Sequence, residues 1–261
     1  MEMRPLGSTG IAVSLLGLGT VKFGRNEGVK YPRGFDLPDD KAVVALLEQA
    51  RVLGINLLDT APAYGSSEER IGALLPGRRE DWVIVTKAGE DFQAGRSSFD
   101  FSPAAIRASV ERSLRRLRTD YLDAVLLHSD GIGEDGDRFL PAAEALAGLK
   151  GQGKLRATGF SGKTVAGALK LLSCVDVLMV TYNPGQRDEA AVVAAAAQAG
   201  KGILVKKALA SGHVADPARA LAEAAALPGV SSIVVGTLSA DNLRRNAEAV
   251  AGADGRGEGH G

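Results

Sequence analysis

The chain has 261 residues, 45% of them hydrophobic and 24% charged, the balance of a globular protein with a substantial core. Its 31 lysines and arginines offset 31 aspartates and glutamates, so no net field recruits nucleic acid or an anionic membrane. Apolar runs such as VDVLMV and GILV are far too short to cross a bilayer, and MEMRPLGSTG lacks the apolar core of a secretion signal, so a cytoplasmic protein without membrane partners is expected.

The first element along the chain is a short hairpin, RPLGSTGIAVS. Strands and amphipathic helices then alternate eight times. Strand LLGLGT (15–20) precedes a helix, KAVVALLEQARVLG, that Asp39 or Asp40 opens and Gly54 closes. INLLDT (55–60) follows, then Ser66 and Glu69 at capping-box spacing ahead of RIGALL. After WVIVTK (82–87), Ser102 and Pro103 give an N-cap and a first-turn proline to a helix over 102–118. Its Ile106, Val110, Leu114 and Leu117 form one stripe. The remaining strands are DAVLLH (123–128), LRATGFS (155–161), VDVLMVTYN (175–183), GILVKK (202–207) and SSIVVG (231–236). Helices over 138–150, 163–173, 188–199, 217–226 and 240–250 accompany them, the last capped by Ser239. Cys174 lies between the apolar runs ALKLLS and VDVLMV, which predicts a packed core thiol. A single cysteine excludes an intrachain disulfide and suits a reducing compartment. Residues 253–261, the end of GADGRGEGHG, are rich in glycine and charge and predict a disordered tail.

The strands are almost continuously apolar, as expected where helices cover a parallel sheet. No Pro/Gly/Ser-rich linker divides the chain. Eight βα units within residues 1–252, with right-handed crossovers, predict a single α/β unit, a (β/α)8 TIM barrel with an N-terminal β-hairpin. A doubly wound open sheet is the alternative. It is disfavoured because LLGLGT is not followed by the G-x-G-x-x-G helix start of a dinucleotide fold.

Three strand ends carry the residues with chemistry. INLLDTAPAYG brings Asp59 and Tyr64, WVIVTK brings Lys87, and DAVLLH brings His128. In a parallel barrel these ends open on one face, where active sites are built. A phenol flanked by an ammonium and an imidazole suits proton donation to a carbonyl oxygen. Reducing that carbonyl also needs a hydride, which no side chain supplies, so a nicotinamide is implied. Tyr64 is the proton-donor candidate, but a reference pKa of about 10 is high for the task. Lys87 is expected to lower it by stabilising tyrosinate. Asp59 would pair with Lys87 and keep it charged, and His128 would donate a hydrogen bond to the substrate oxygen. Taken singly, three of them have a plain structural explanation (a turn for Asp59, loop packing for Tyr64, a solvated charge for Lys87), and His128 stands out even alone. Their coincidence on three strand ends favours the chemical one, and no metal site is expected.

These segments resemble the aldo-keto reductase family over nearly the whole chain. RPLGSTGIAVSLLGLGT is similar to that family's amino-terminal hairpin and first strand, and INLLDTAPAYGSSEERIGALL to its signature. Asp59, Tyr64, Lys87 and His128 fall at the positions of the family's catalytic tetrad. SSIVVGTLSADNLRRNAEA resembles the last strand and adenosine-binding helix. The resemblance implies a barrel that binds NADPH, with NADH possible, in extended form and transfers hydride directly to a small-molecule carbonyl. By position it implies that Gly19, Thr20 and Val21 line the nicotinamide ribose, near Asp59. Ser161 and Gly162 match the pair that holds the carboxamide. Ala208, Leu209, Ser211 and Gly212 belong to the loop spanning the pyrophosphate, and Gly236, Thr237, Asn242 and Asn246 match the adenosine end.

The chain also departs from the family pattern. Met179 stands where many members have a glutamine to the carboxamide, and Lys206 where many stack a tyrosine on the nicotinamide. Either the stem of Lys206 or the nearby Tyr182 would then cover the ring. Gly162 and Gly236 lack side chains used elsewhere for carboxamide and phosphate contacts. The long carboxyl-terminal loop that often shapes the substrate pocket has no counterpart here, so the resemblance does not carry a substrate class. Two other functions are weighed: a nucleotide-binding redox-sensing or regulatory subunit with little turnover, and a lyase using Lys87 as a Schiff base. Neither has a dedicated sequence feature, and a monomeric enzyme is favoured.

Overall fold

Period-two alternation of side chains organises the centre of the molecule. The structure, a computed structural model, describes residues 1–131 and 137–252; the tail expected over 253–261, with His260, lies outside the described residues. A hairpin of β1 (Met3–Pro5) and β2 (Ala12–Ser14) precedes β3 (Leu16–Gly19), α1 (Val21–Gly24), α2 (Asp40–Val52), β4 (Leu57–Asp59) and α3 (Ser67–Leu74). Then come β5 (Val83–Ala88), a second hairpin of β6 (Glu90–Gln93) and β7 (Arg96–Phe99), α4 (Pro103–Leu117), β8 (Leu122–His128) and α5 (Leu140–Gly151). The chain continues through β9 (Leu155–Ser161), α6 (Val165–Leu171), β10 (Val177–Thr181), α7 (Ala190–Gln198), β11 (Gly202–Lys206), α8 (Pro217–Ala225), β12 (Ser232–Val235) and α9 (Ala240–Ala251). Strands β3, β4, β5, β8, β9, β10, β11 and β12 are neighbours in that order, all parallel, and β12 pairs back onto β3. The expected TIM barrel with its amino-terminal hairpin is the observed fold.

Two cores result. Inside the barrel, Leu57, Val85, Leu126, Val177, Met179 and Leu204 pack together, and Leu6, Ile11 and Val13 of the hairpin region join them. Gly159 makes room there, since a Cβ on it would lie 2.0 Å from Leu126 Cδ2. The alternate strand residues, among them Leu16, Leu18, Ile84, Val125, Leu127 and Val180, face outward into a larger core under the helices. A strand buried on both faces needs apolar residues at every position, which is why the runs read as continuous.

The helices start where their caps say. Asp39, not Asp40, accepts from Ala42 N at 2.7 Å; Ser102 and Ser239 accept from Ala105 N and Asn242 N at 3.3 and 3.2 Å. Two local expectations are corrected. Ser66 makes no capping hydrogen bond: its backbone (φ −83, ψ 8) is outside the extended region a capping serine needs. The neighbouring Ser67 is instead buried, its hydroxyl 2.8 Å from Thr20 Oγ1 and 3.1 Å from Thr60 Oγ1. Cys174 is exposed, not packed. Leu171 and Val175 take the buried positions, and the cysteine falls on the surface turn between α6 and β10. The β6–β7 hairpin has no sequence forecast either. Its turn, Ala94 and Gly95 with φ of 49 and 78, has both central residues in the left-handed region. That turn class is usually announced by Asn-Gly or Asp-Gly.

Candidate active site

Strand alternation assembles the site. With Leu57, Val85, Leu126 and Leu204 inside the barrel, residues two positions on point the same way. Asp59, Lys87, His128 and Lys206 are those residues, and all four line one cavity at the carboxyl-terminal ends of the strands. Cross-strand register staggers them around the rim: Asp59 pairs with Val85, two residues before Lys87, Lys87 with Leu126, two before His128, and Thr181 with Lys206. The same rule turns Tyr182 outward into the helix-side core, 8% exposed, so it does not line the cavity.

Lys87 Nζ donates to Asp59 Oδ1 at 2.6 Å and to Thr60 O at 2.9 Å. Burial alone would push the ammonium's pKa down, but Asp59 and Tyr64 hold it above its usual value. Lys87 therefore stays charged. Tyr64 comes from the loop after β4 and packs beside it, with Nζ 4.7 Å from the ring centroid. The backbone of that loop is wedged against α1. A Cβ on Gly65, whose φ is +60, would sit 2.1 Å from Gly24 O, and one on Gly24 would sit 2.4 Å from Tyr64 O. Glycine at both places lets the chains touch. The expected direction of the Tyr64 shift is corrected: burial raises the phenol's pKa above 10, and the opposing pull of Lys87 only moderates it. Desolvation of tyrosinate outweighs one nearby ammonium when that ammonium is already paired with Asp59.

His128 has a partner that the sequence reading missed. Its Nδ1 lies 2.7 Å from Glu90 Oε2, at the start of β6, although its N–H is not well aimed at that oxygen. Burial of Glu90 works against ionisation, yet His128, Ser97 and Arg25 together bring its pKa down to about 2. The carboxylate is therefore charged across the working pH range. Burial lowers the pKa of His128, with Lys87 and Lys206 adding to the effect and Glu90 opposing it. A neutral ring with its proton on Nδ1, toward Glu90, has an acceptor at Nε2. Donation from Nε2 then requires the imidazolium. The signal available in the sequence was the acidic residue three positions after Lys87, but only the unforeseen hairpin returns it to the site.

The cavity is about 790 Å³, within the range of small-molecule and cofactor sites. Its wall includes Gly19, Thr20, Val21, Asp59, Ser161, Met179, Lys206, Ala208, Leu209, Ser211, Gly212, Gly236, Thr237, Asn242 and Asn246. Gly162 does not line it; its carbonyl instead accepts from Lys206 Nζ at 2.7 Å. Arg245 faces the cavity, whereas Arg244 lies on an ion-paired outer face with Glu248. The segment after α1 adds Gly28, Val29, Lys30 and Tyr31, none of them foreseen. A Cβ on Gly236 would approach Gly19 O to 3.3 Å and the Tyr31 hydroxyl to 3.2 Å, so glycines keep that passage open.

Eight basic side chains line the cavity (Lys22, Arg25, Lys30, Lys87, Lys163, Lys206, Lys207 and Arg245) against three carboxylates, Asp59, Glu90 and Asp216. Because the whole chain is neutral, this is a local positive field, and it suits a polyanion. Thr237 and Asn242 add a hydroxyl and an amide to the same wall. The basic side chains and hydrogen-bond donors of this wall fit a dinucleotide's pyrophosphate. Among the described residues no cluster of side chains suits a metal ion, and no helix is long and apolar enough to cross a membrane.

Comparison with known proteins gives the family and the fold. Residues 15–223 match the model of the aldo/keto reductase family. The crystal structure of an aldo-keto reductase, described as putative, from Pseudomonas aeruginosa superposes with a TM-score of 0.87 at 53% identity, covering 96% of this chain and 95% of that one. An L-galactose dehydrogenase from Arabidopsis thaliana is 35% identical over 62% of this chain and 49% of its own length. An NADH-specific methylglyoxal reductase from Escherichia coli is 38% identical over 61% of this chain and 51% of its own. The matched region thus spans about half the length of these curated relatives.

Proposed function

The chain belongs to the aldo/keto reductase family, and from that premise we propose that it reduces an aldehyde or ketone to an alcohol, using NADPH as hydride donor. One observation carries the reading: Tyr64, the Lys87–Asp59 pair and His128 meet in a cavity that basic side chains and hydrogen-bond donors also line. When bound, the nicotinamide would supply the hydride that no side chain can. The protein's own residues have the remaining task of moving one proton. Tyr64 donates it from its hydroxyl to the carbonyl oxygen. Lys87, kept cationic by Asp59, stabilises the tyrosinate left behind. A raised phenol pKa keeps Tyr64 protonated and ready until that moment. His128 orients the carbonyl, through its imidazolium form where it donates a hydrogen bond.

The charged state of Lys87 argues against a Schiff-base lyase, which needs the free amine. NADPH is favoured over NADH because Arg245, which donates to Asn242, adds a guanidinium to the cavity wall that can read the extra phosphate. Loss of nicotinamide absorbance with a panel of aldehydes and ketones tests the reading. Multiple turnovers with at least one carbonyl are expected; tight nucleotide binding without turnover would overturn it in favour of a sensing subunit.

A further inference from the structure

Lys206 ends β11 on the inner side of the barrel and carries a charge that the proton-transfer groups do not use. Its Nζ donates to Ser161 Oγ at 2.9 Å and to Gly162 O at 2.7 Å, both at the end of β9. These contacts occupy two of its three N–H bonds and tie the cation to neutral partners. An ammonium is expensive to hold in such a place. Burial, reinforced by Lys207, Lys87 and Lys163 and opposed by Glu189, pushes its pKa down to about 7. Met179, on the adjacent strand, lines the same cavity with a side chain of no charge. Yet Lys206 places an ammonium in that wall whenever it is protonated.

A nicotinamide ring is neutral when reduced and positively charged when oxidised, and like charges in a desolvated site repel more strongly than in water. We propose that Lys206 makes this site discriminate between the two redox states of the dinucleotide, holding the Ser161–Gly162 shelf while disfavouring the cationic ring. The inference rests on the dinucleotide reading and gives it a direction. The oxidised product is released readily, so carbonyl reduction is favoured over alcohol oxidation. The charged and titratable groups facing Lys206 are Glu189 at the start of α7, Lys207 after β11, Lys87 of β5, Lys163 after β9 and His128 of β8. Replacing Lys206 by arginine keeps the positive charge across this pH range and removes the titration near neutrality.

Dissociation constants for NADPH and NADP⁺, measured by calorimetry on the wild type, Lys206→Met and Lys206→Arg, test this without turnover. At about pH 6 the wild type should prefer the reduced form at least tenfold more than Lys206→Met does. That excess should shrink in the wild type by about pH 8.5, where the amine is neutral, and persist in Lys206→Arg. Equal preferences in wild type and Lys206→Met would overturn the proposal. If Lys206→Met does not fold, the wild type decides alone, because a preference independent of pH over that range also overturns it. Failure of the wild type to bind either nucleotide would instead remove the dinucleotide reading, and the proposal with it.

Discussion

Lys87 Nζ lies 2.6 Å from Asp59 Oδ1, and the two side chains are only 2% and 6% exposed. A charge pair this deeply buried is worth little against an apolar pair of the same shape, but breaking it from one side is costly. Lys87→Met leaves Asp59 buried without its ion-pair partner. We expect a loss of about 3–5 kcal/mol in stability, read from denaturant unfolding, together with loss of carbonyl reduction. Asp59→Asn keeps a hydrogen-bond acceptor for the ammonium and should retain more activity than Lys87→Met. Equal damage from the two, in folded protein, would refute this division of roles.

Tyr64→Phe removes the hydroxyl and keeps the ring beside Lys87. Turnover should fall by about 10²–10⁴-fold, the contribution of general acid catalysis, while nucleotide affinity is nearly unchanged. Retention of more than about a tenth of the wild-type kcat, with chemistry rate-limiting, would show that another group supplies the proton.

Glu90→Gln tests the partner of His128. The carboxylate favours the imidazolium, so its removal should lower the pKa of His128 further. In proton NMR titration the His128 resonance should move to lower pH, and any limb of kcat/KM that follows the imidazolium should move with it. The sign is fixed by Glu90 being ionised over this range, with its own pKa held at about 2. A His128 titration unchanged in Glu90→Gln would mean that the contact is not electrostatically coupled.

The barrel was legible because strands buried on both faces leave continuous apolar runs, and its strand-end residues were legible because period two aims Asp59, Lys87 and His128 inward. Tyr182 was ambiguous only until Met179 was seen to face inside, which sends the tyrosine out. Glu90 was illegible for a different reason. It reaches His128 through a hairpin whose Ala94–Gly95 turn lacks the usual residue signal. The shift of Tyr64 was misjudged because a sequence names the neighbouring charge but not the depth of burial that competes with it. Cys174 was misplaced by averaging over flanking apolar runs that belong to two different elements.

Gly65→Ala addresses how Tyr64 is held. The substitution forces a Cβ into left-handed backbone and against Gly24 O, 2.1 Å away. Left-handed strain alone costs about 1–3 kcal/mol, and the clash adds to it. The loop can relieve the clash only by moving away from α1, which carries Tyr64 with it. A melting temperature several degrees lower and a drop in kcat are expected, with nucleotide affinity largely kept. Wild-type kcat in Gly65→Ala would show that the close approach does not position the phenol.

The last expectation concerns the choice of dinucleotide. Arg245 lines the cavity, and its Nη2 donates to Asn242 Oδ1 at 2.5 Å, which orients the guanidinium along α9. Hydrogen bonds of this kind to a charged group are worth roughly 1.5–3 kcal/mol, or about ten- to a hundredfold in affinity. The opposing consideration is Gly236, which offers no side chain where a cation would add a second contact. One well-held arginine with a helix N-terminus is then enough for a preference, but not for a large one. Arg245→Gln should weaken NADPH by about ten- to a hundredfold and leave NADH almost unchanged. If the wild type bound NADH as tightly as NADPH, or if Arg245→Gln weakened both alike, Arg245 would not be reading the phosphate that distinguishes them.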